Sequence, residues 1–215
     1  MSLDTLIDEA GRLALDVGLD AVRAWKSQGP GRKAVGYMPV YCPRELVHAA
    51  GMLPVGLYGG GDQVEIIRGD ACFQSYICHI PRSTVELALS GRLDVLDGML
   101  FPSTCDVIRN LSGMWKILLP GRYARYLDVP QNYDREIGGR FYQSELCSLA
   151  ADFAAISGHP VTDEDLRHSI VVYNENRRLL RELASLRCTS PHLAPASEAY
   201  LIVRAGSVIP VERHN

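Results

Sequence analysis

Short apolar stretches alternate with helix-patterned segments along this chain, and that alternation confines it to α/β folds built on a parallel sheet. Residues 34–40 are β-branched and aromatic, and residues 53–58 form a second such stretch. Residues 96–101 form a third, interrupted by Asp97 and closed by Pro102, and residues 115–120 a fourth. Helical patterns lie between them. One opens at Pro43, runs through Glu45, Leu46 and Ala49, and stops at Gly51. Another covers 80–90 up to Gly91, and a third 106–113. The expected architecture is a Rossmann-like, doubly wound parallel sheet over residues 31–132.

Helices flank this unit. Leu6, Ile7, Ala10, Leu13, Ala14, Val17, Ala21, Val22 and Trp25 recur at helical spacing, which predicts one N-terminal helix over 4–27 in a segment 1–30. Gln28-Gly29-Pro30-Gly31 ends it. After Pro130, residues 134–157 and 162–186 read as two long helices, the second opening with the acidic turn Thr162-Asp163-Glu164-Asp165. Residues 197–204 add one more. Residues 133–215 are expected to form a helical connector leading toward a second α/β domain; the other reading folds these helices back on the sheet.

Composition excludes several classes. With 215 residues, 47% apolar and 22% charged, the chain can bury a core and is not wholesale disordered. A formal net charge of −3 leaves no basic footprint for nucleic acid. No apolar run approaches the roughly 18–20 residues of a membrane span. The charged, partly acidic N-terminus resembles neither a secretory nor a transit peptide. A soluble cytoplasmic protein is expected. The six cysteines, at 42, 72, 78, 105, 147 and 188, include no Cys-x2-Cys pair, so neither a zinc ribbon nor a ferredoxin run is present. Cysteines of this kind are ordinarily free in a reducing compartment and buried as small hydrophobes.

In open parallel sheets ligands gather beyond the carboxyl ends of the strands. Three loops qualify: Tyr41-Cys42-Pro43, Gly59-Gly60-Gly61-Asp62, and Pro102-Ser103-Thr104-Cys105-Asp106. The glycine turn has N–H groups a phosphate could use, but lacks both Gly-x-Gly-x-x-Gly and a Walker lysine, and reads as a plain turn. Cys105 follows a strand where a helix begins, and Cys78 stands just upstream of the helix marked by Pro81. The positive end of a helix suits a thiolate. Two such thiols can converge on one metal centre, although 27 positions separate them and nothing in the spacing sets their distance. Asp106 reads as an N-terminal helix residue. His48 and His79 are either ligands or acid–base groups, or satisfied helix-end and surface histidines. Cys–His catalysis would need a proximity that sequence does not show.

Three stretches carry a family resemblance. They are the run over 36–55, with Tyr41-Cys42-Pro43-Arg44-Glu45-Leu46 and Ala49-Ala50-Gly51-Met52-Leu53-Pro54-Val55; the run over 73–87, with Tyr76-Ile77-Cys78-His79-Ile80-Pro81-Arg82-Ser83; and Gly98-Met99-Leu100-Phe101, continued by Cys105-Asp106-Val107-Ile108-Arg109-Asn110-Leu111. Together they resemble the benzoyl-CoA reductase/2-hydroxyacyl-CoA dehydratase family. The resemblance implies Rossmann-like domains, an oxygen-sensitive [4Fe–4S] cluster beside an acyl-CoA, a partner subunit of the same family, and a separate ATP-hydrolysing activator that delivers electrons. Cys78 and Cys105 match its ligand positions, Cys72 is a weaker match, and Cys42, Cys147 and Cys188 match none. Members of the family are longer and take a third cysteine from a second α/β domain, which residues 200–215 resemble the approach to. The implied activity is that of a subunit of an ATP-dependent benzoyl-CoA reductase, not active as this chain alone. The alternatives are a 2-hydroxyacyl-CoA dehydratase subunit and a non-catalytic, truncated interaction subunit. Tyr41, His48 and His79 fall near the expected pocket, and no spacing ranks them as a proton donor.

Overall fold

The computed structural model describes residues 2–215. Four parallel strands, β1 (Ala34–Tyr37), β2 (Leu53–Gly56), β3 (Gly98–Pro102) and β4 (Tyr123–Leu127), form one sheet in the order β2-β1-β3-β4. The chain steps from β1 to one edge and returns past it toward the other, so the winding reverses between β1 and β3. This is the doubly wound arrangement that the alternation predicts.

Strand periodicity sorts the core onto two faces. Ala34, Met38, Leu53, Val55, Met99 and Phe101 lie on one; Val35, Tyr37, Leu100 and Leu127 lie on the other. Gly36 is required on the first face: a Cβ there would lie 2.7 Å from Met99 Sδ and 2.8 Å from Leu96 Cδ1.

The N-terminal segment corrects the single predicted helix. It is two, α1 (Leu3–Ala14) and α2 (Asp20–Ser27), broken at Leu19, whose φ of 57° lies in the left-handed region. Asp16 stabilises the restart, its carboxylate accepting from the N–H groups of Asp20 (2.9 Å) and Ala21 (2.8 Å). The apolar spacing hid the break because both helices point apolar residues inward, α2 burying Val22 against the sheet.

The crossover helices follow as α3 (Arg44–Ala49), the single turn α4 (Arg68–Ala71), α5 (His79–Leu89) and α6 (Asp106–Leu118). The strand expected at 115–120 does not exist; it is the end of α6 and the loop after it. Ile108, Leu111 and Trp115 recur at helical spacing and are buried, whereas Ile117 is 80% exposed. The fourth strand is instead β4, which the apolar pattern does not announce. As an edge strand it carries Arg125 and half-exposed tyrosines in place of an apolar run.

Beyond a π-helical turn at Arg135–Gly139, α7 (Arg140–Ser157) lays Leu149 and Phe153 on the second face of the sheet. Helix α8 (Asp163–Thr189) starts at a capping box between Thr162 and Asp165 and packs on α3. Helix α9 (Ala196–Ala205) packs on α1, and the short α10 (Val211–His214) lies against α8. No helix among the described residues is long and apolar enough to cross a membrane.

Candidate functional site

Every crossover helix in a parallel sheet begins at the carboxyl edge, so the loops leaving β1, β2 and β3 share one end of the molecule. Thr104 joins two of them across the reversal point, its hydroxyl donating to the Pro39 carbonyl at 2.9 Å.

Cys78 is the N-cap residue of α5 and Cys105 that of α6, two helices that pack against each other. Both backbones are extended at the cap, both side chains are exposed, and neither thiol caps its helix. Each sulfur is therefore presented to solvent at the positive end of a helix of more than two turns. The other cysteines are placed differently. Cys42 packs against the second core face, and burial, partly offset by Arg44, pushes its thiol above the ordinary range. Cys72 is half-buried and its thiol lies 3.5 Å from the Arg68 carbonyl. Cys147 and Cys188 are exposed on α7 and α8.

Beside Cys105 lies a cleft of about 410 Å³ that includes Ser103, Asp106, Arg109, Tyr126 and Asp128. The Arg109 guanidinium sits 5.7 Å from the centre of the Tyr126 ring. Ser103 accepts from the Val129 N–H at 2.8 Å, fixing the mouth of the cleft to the exit of β4.

The segment between β2 and α5 depends on a residue that no sequence motif singles out. Glu86 Oε2, on buried α5, accepts the N–H groups of Ile67 (2.9 Å), Arg68 (2.6 Å) and Gly69 (2.9 Å). Burial acts to raise this carboxyl, but the three backbone bonds and the Arg68 charge hold it below its ordinary value. Gly69 permits the approach, since a Cβ there would lie 2.2 Å from the Arg82 carbonyl oxygen. Arg82 Nε in turn donates to Asp70 at 2.7 Å. The only signal in the sequence was a lone acid inside the apolar run Thr84-Val85-Glu86-Leu87.

Some of the remaining candidates take structural places. The Gly60 N–H donates to Ser83 Oγ at 3.0 Å, which supports the plain-turn reading of the glycine loop. His48 bridges α3 to Ser169 Oγ and Glu212 Oε1, each at 2.8 Å. His79 is exposed at the first position of α5. Asp106 occupies the first turn of α6, as expected of a helix-start residue.

As a metal site the donor set fits only in part. Cys78 and Cys105 have the right chemistry for iron–sulfur ligation, yet no group of three or more His, Cys, Asp or Glu side chains among the described residues could hold a metal ion. Ligation of a cluster would need donors beyond these two.

A doubly wound sheet with unengaged thiols at two helix starts defines a Rossmann-like α/β protein with a cysteine-bearing carboxyl edge. More narrowly, the chain belongs to the family described as 2-hydroxyglutaryl-CoA dehydratase, D-component, which matches residues 39–215. It is 55% identical over 215 residues to a subunit of the benzoyl-CoA reductase of Thauera aromatica, a match covering 100% of this chain and 56% of that one. It is 32% identical over 206 residues to the beta subunit of (R)-2-hydroxyglutaryl-CoA dehydratase of Acidaminococcus fermentans, with 95% and 53% covered. Against the (R)-phenyllactyl-CoA dehydratase beta subunit of Clostridium sporogenes it is 32% identical over 184 residues, with 86% and 49% covered. The chain thus spans about half the length of the curated relatives it matches.

Proposed function

We propose that this chain is part of a subunit of an ATP-dependent benzoyl-CoA reductase, an oxidoreductase of anaerobic aromatic catabolism acting in the cytoplasm. The observation that carries the reading is the 55% identity to a benzoyl-CoA reductase subunit, well above the 32% to the two dehydratase subunits. In this reading Cys78 and Cys105 are two of the ligands of a [4Fe–4S] cluster, and the remaining ligands come from elsewhere in the assembly. Such a cluster, when bound, supplies low-potential electron transfer. The chain's own part is to hold two thiolates at helix N-termini, to fix the loop over 67–77 through Glu86, and to shape the cleft beside Cys105 toward an aromatic acyl-CoA. Its partners are a homologous subunit of the same family and an ATP-dependent activator.

The test is anaerobic iron and acid-labile sulfide per chain, on protein purified with whatever co-purifies. About four of each are expected, with loss in Cys78→Ser and in Cys105→Ser. Unchanged iron in both variants overturns the ligand assignment. The second reading, a 2-hydroxyacyl-CoA dehydratase subunit, is favoured by the family description and by the dehydratase relatives. Turnover of benzoyl-CoA against that of a 2-hydroxyacyl-CoA separates the two.

A further inference from the structure

Helix α5 carries Arg82 and Glu86 one turn apart, where opposite charges on a helix commonly pair. Here each instead holds a part of the loop that runs from Ile67 to Cys78. Glu86 takes the amides at its start. Arg82 takes the remainder: Nε and Nη2 both donate to Asp70 Oδ1, and Nη1 donates to the Ile77 carbonyl at 3.3 Å. A guanidinium is planar and its donors diverge in fixed directions, so these two acceptors are held at one spacing. The Arg82 side chain is only 20% exposed, which limits competition from water.

The Ile77 carbonyl matters because of what it is bonded to. It shares one rigid peptide plane with the Cys78 nitrogen and α-carbon. Holding that oxygen therefore orients the start of Cys78, whose φ of −59° and ψ of 155° complete the N-cap of α5. Only the side-chain torsion is then left to aim the sulfur, and the thiol makes no capping bond of its own. Cys105 is fixed differently. Ser103 and Thr104 tie its loop to the exit of β4 and to the β1 loop through neutral hydroxyls. A change at Arg82 thus acts on one thiol of the pair.

We infer that Arg82 is a positioning residue for Cys78: it sets where that thiol stands relative to Cys105 by bracing the Ile77–Cys78 peptide against Asp70. The inference rests on the proposed function only for the cluster that the thiol holds; the brace itself belongs to the loop. Two ligands of one cluster must keep one separation, so loosening either lowers its occupancy and changes the iron environment.

The test uses the full chain, with any co-purifying partner, as wild type, Arg82→Gln and Arg82→Lys. Hydrogen exchange before iron is added reads the brace. The Phe73 and Ile77 amides donate within the loop to the Asp70 and Gln74 carbonyls. They should exchange roughly tenfold faster or more in Arg82→Gln, and less so in Arg82→Lys. The Val129 amide, held by Ser103, should exchange as in wild type. Anaerobic reconstitution with ferrous iron and sulfide then reads the positioning. Apparent iron affinity should fall roughly tenfold in Arg82→Gln. Arg82→Lys keeps the charge but cannot serve both acceptors, so it should bind iron with an intermediate affinity. Its reduced sample should show electron paramagnetic resonance g-values shifted from those of wild type. A merely structural role leaves those g-values where they are, so it is read even where Arg82→Gln fails to fold. Unchanged g-values in Arg82→Lys, or exchange at Phe73 and Ile77 as slow as in wild type in the folded variants, overturns the inference. If wild type takes up no iron, the proposed function fails, and exchange alone decides whether Arg82 places Cys78.

Discussion

Removing the Glu86 carboxylate tests how the loop bearing Cys72 and Cys78 is held. Glu86 is 9% exposed and a single oxygen accepts three backbone N–H groups, so Glu86→Ala leaves those donors without their partner beneath the loop. At about 1.5 kcal/mol for each bond to a charged acceptor, the loss is roughly 4.5 kcal/mol. For a urea slope of about 2 kcal/mol/M, that moves the unfolding midpoint by roughly 2 M. Glu86→Gln keeps an acceptor oxygen and loses the charge, so about 1–2 kcal/mol is expected. The carboxyl is held below its ordinary value of 4.5 in the folded state, so its contribution is complete above that value and is lost as pH falls through the lower, folded one. The stability gap between wild type and Glu86→Gln should therefore be constant at neutral pH and shrink below about pH 4.5. Urea titrations from pH 3 to 8 measure this, and hydrogen exchange at Ile67, Arg68 and Gly69 locates it. A loss under about 1 kcal/mol in Glu86→Ala, or exchange at these amides as slow as in wild type, would refute the reasoning.

Trp115 is buried at the end of α6 with its ring edge-on to Phe101, centroids 5.4 Å apart; Trp115→Ala should cost about 3–5 kcal/mol in thermal or urea unfolding. A strand at 115–120 would not predict this together with a near-neutral Ile117→Ser. Asp97 joins Lys26 (2.6 Å), Lys33 (3.1 Å) and the Ala34 N–H (2.9 Å), which outweigh its burial and lower its carboxyl. Asp97→Asn should cost about 2 kcal/mol at neutral pH, and the gap should close as pH falls below the ordinary carboxyl value of 3.8.

The candidate thiols were legible from the chain for a local reason. Cys78 and Cys105 each precede a helix start visible in the sequence, and in a parallel sheet helix starts share the carboxyl edge. Glu86 and Asp97 were not legible, because their partners lie 17–19 and 63–71 positions away.

Local stereochemistry decided what the sequence alone could carry. Gly51, Gly91 and Gly158 stop their helices at φ of 71°, 79° and 73°, where a side chain is disfavoured. Thr162 and Asp165 start α8 by bonding within one turn. Strands buried on both faces announce themselves as apolar runs. Tertiary structure decided the rest. Residues 115–120 are as apolar as a strand, and only packing of the Trp115 face against Phe101 makes them the end of a helix. β4 has a weak pattern of its own and becomes a strand because β3 offers it a ladder from Gly98 to Pro102. Pattern reports which residues must avoid water; which neighbour buries them, and which distant carboxylate or guanidinium they meet, is settled only when the faces close on one another.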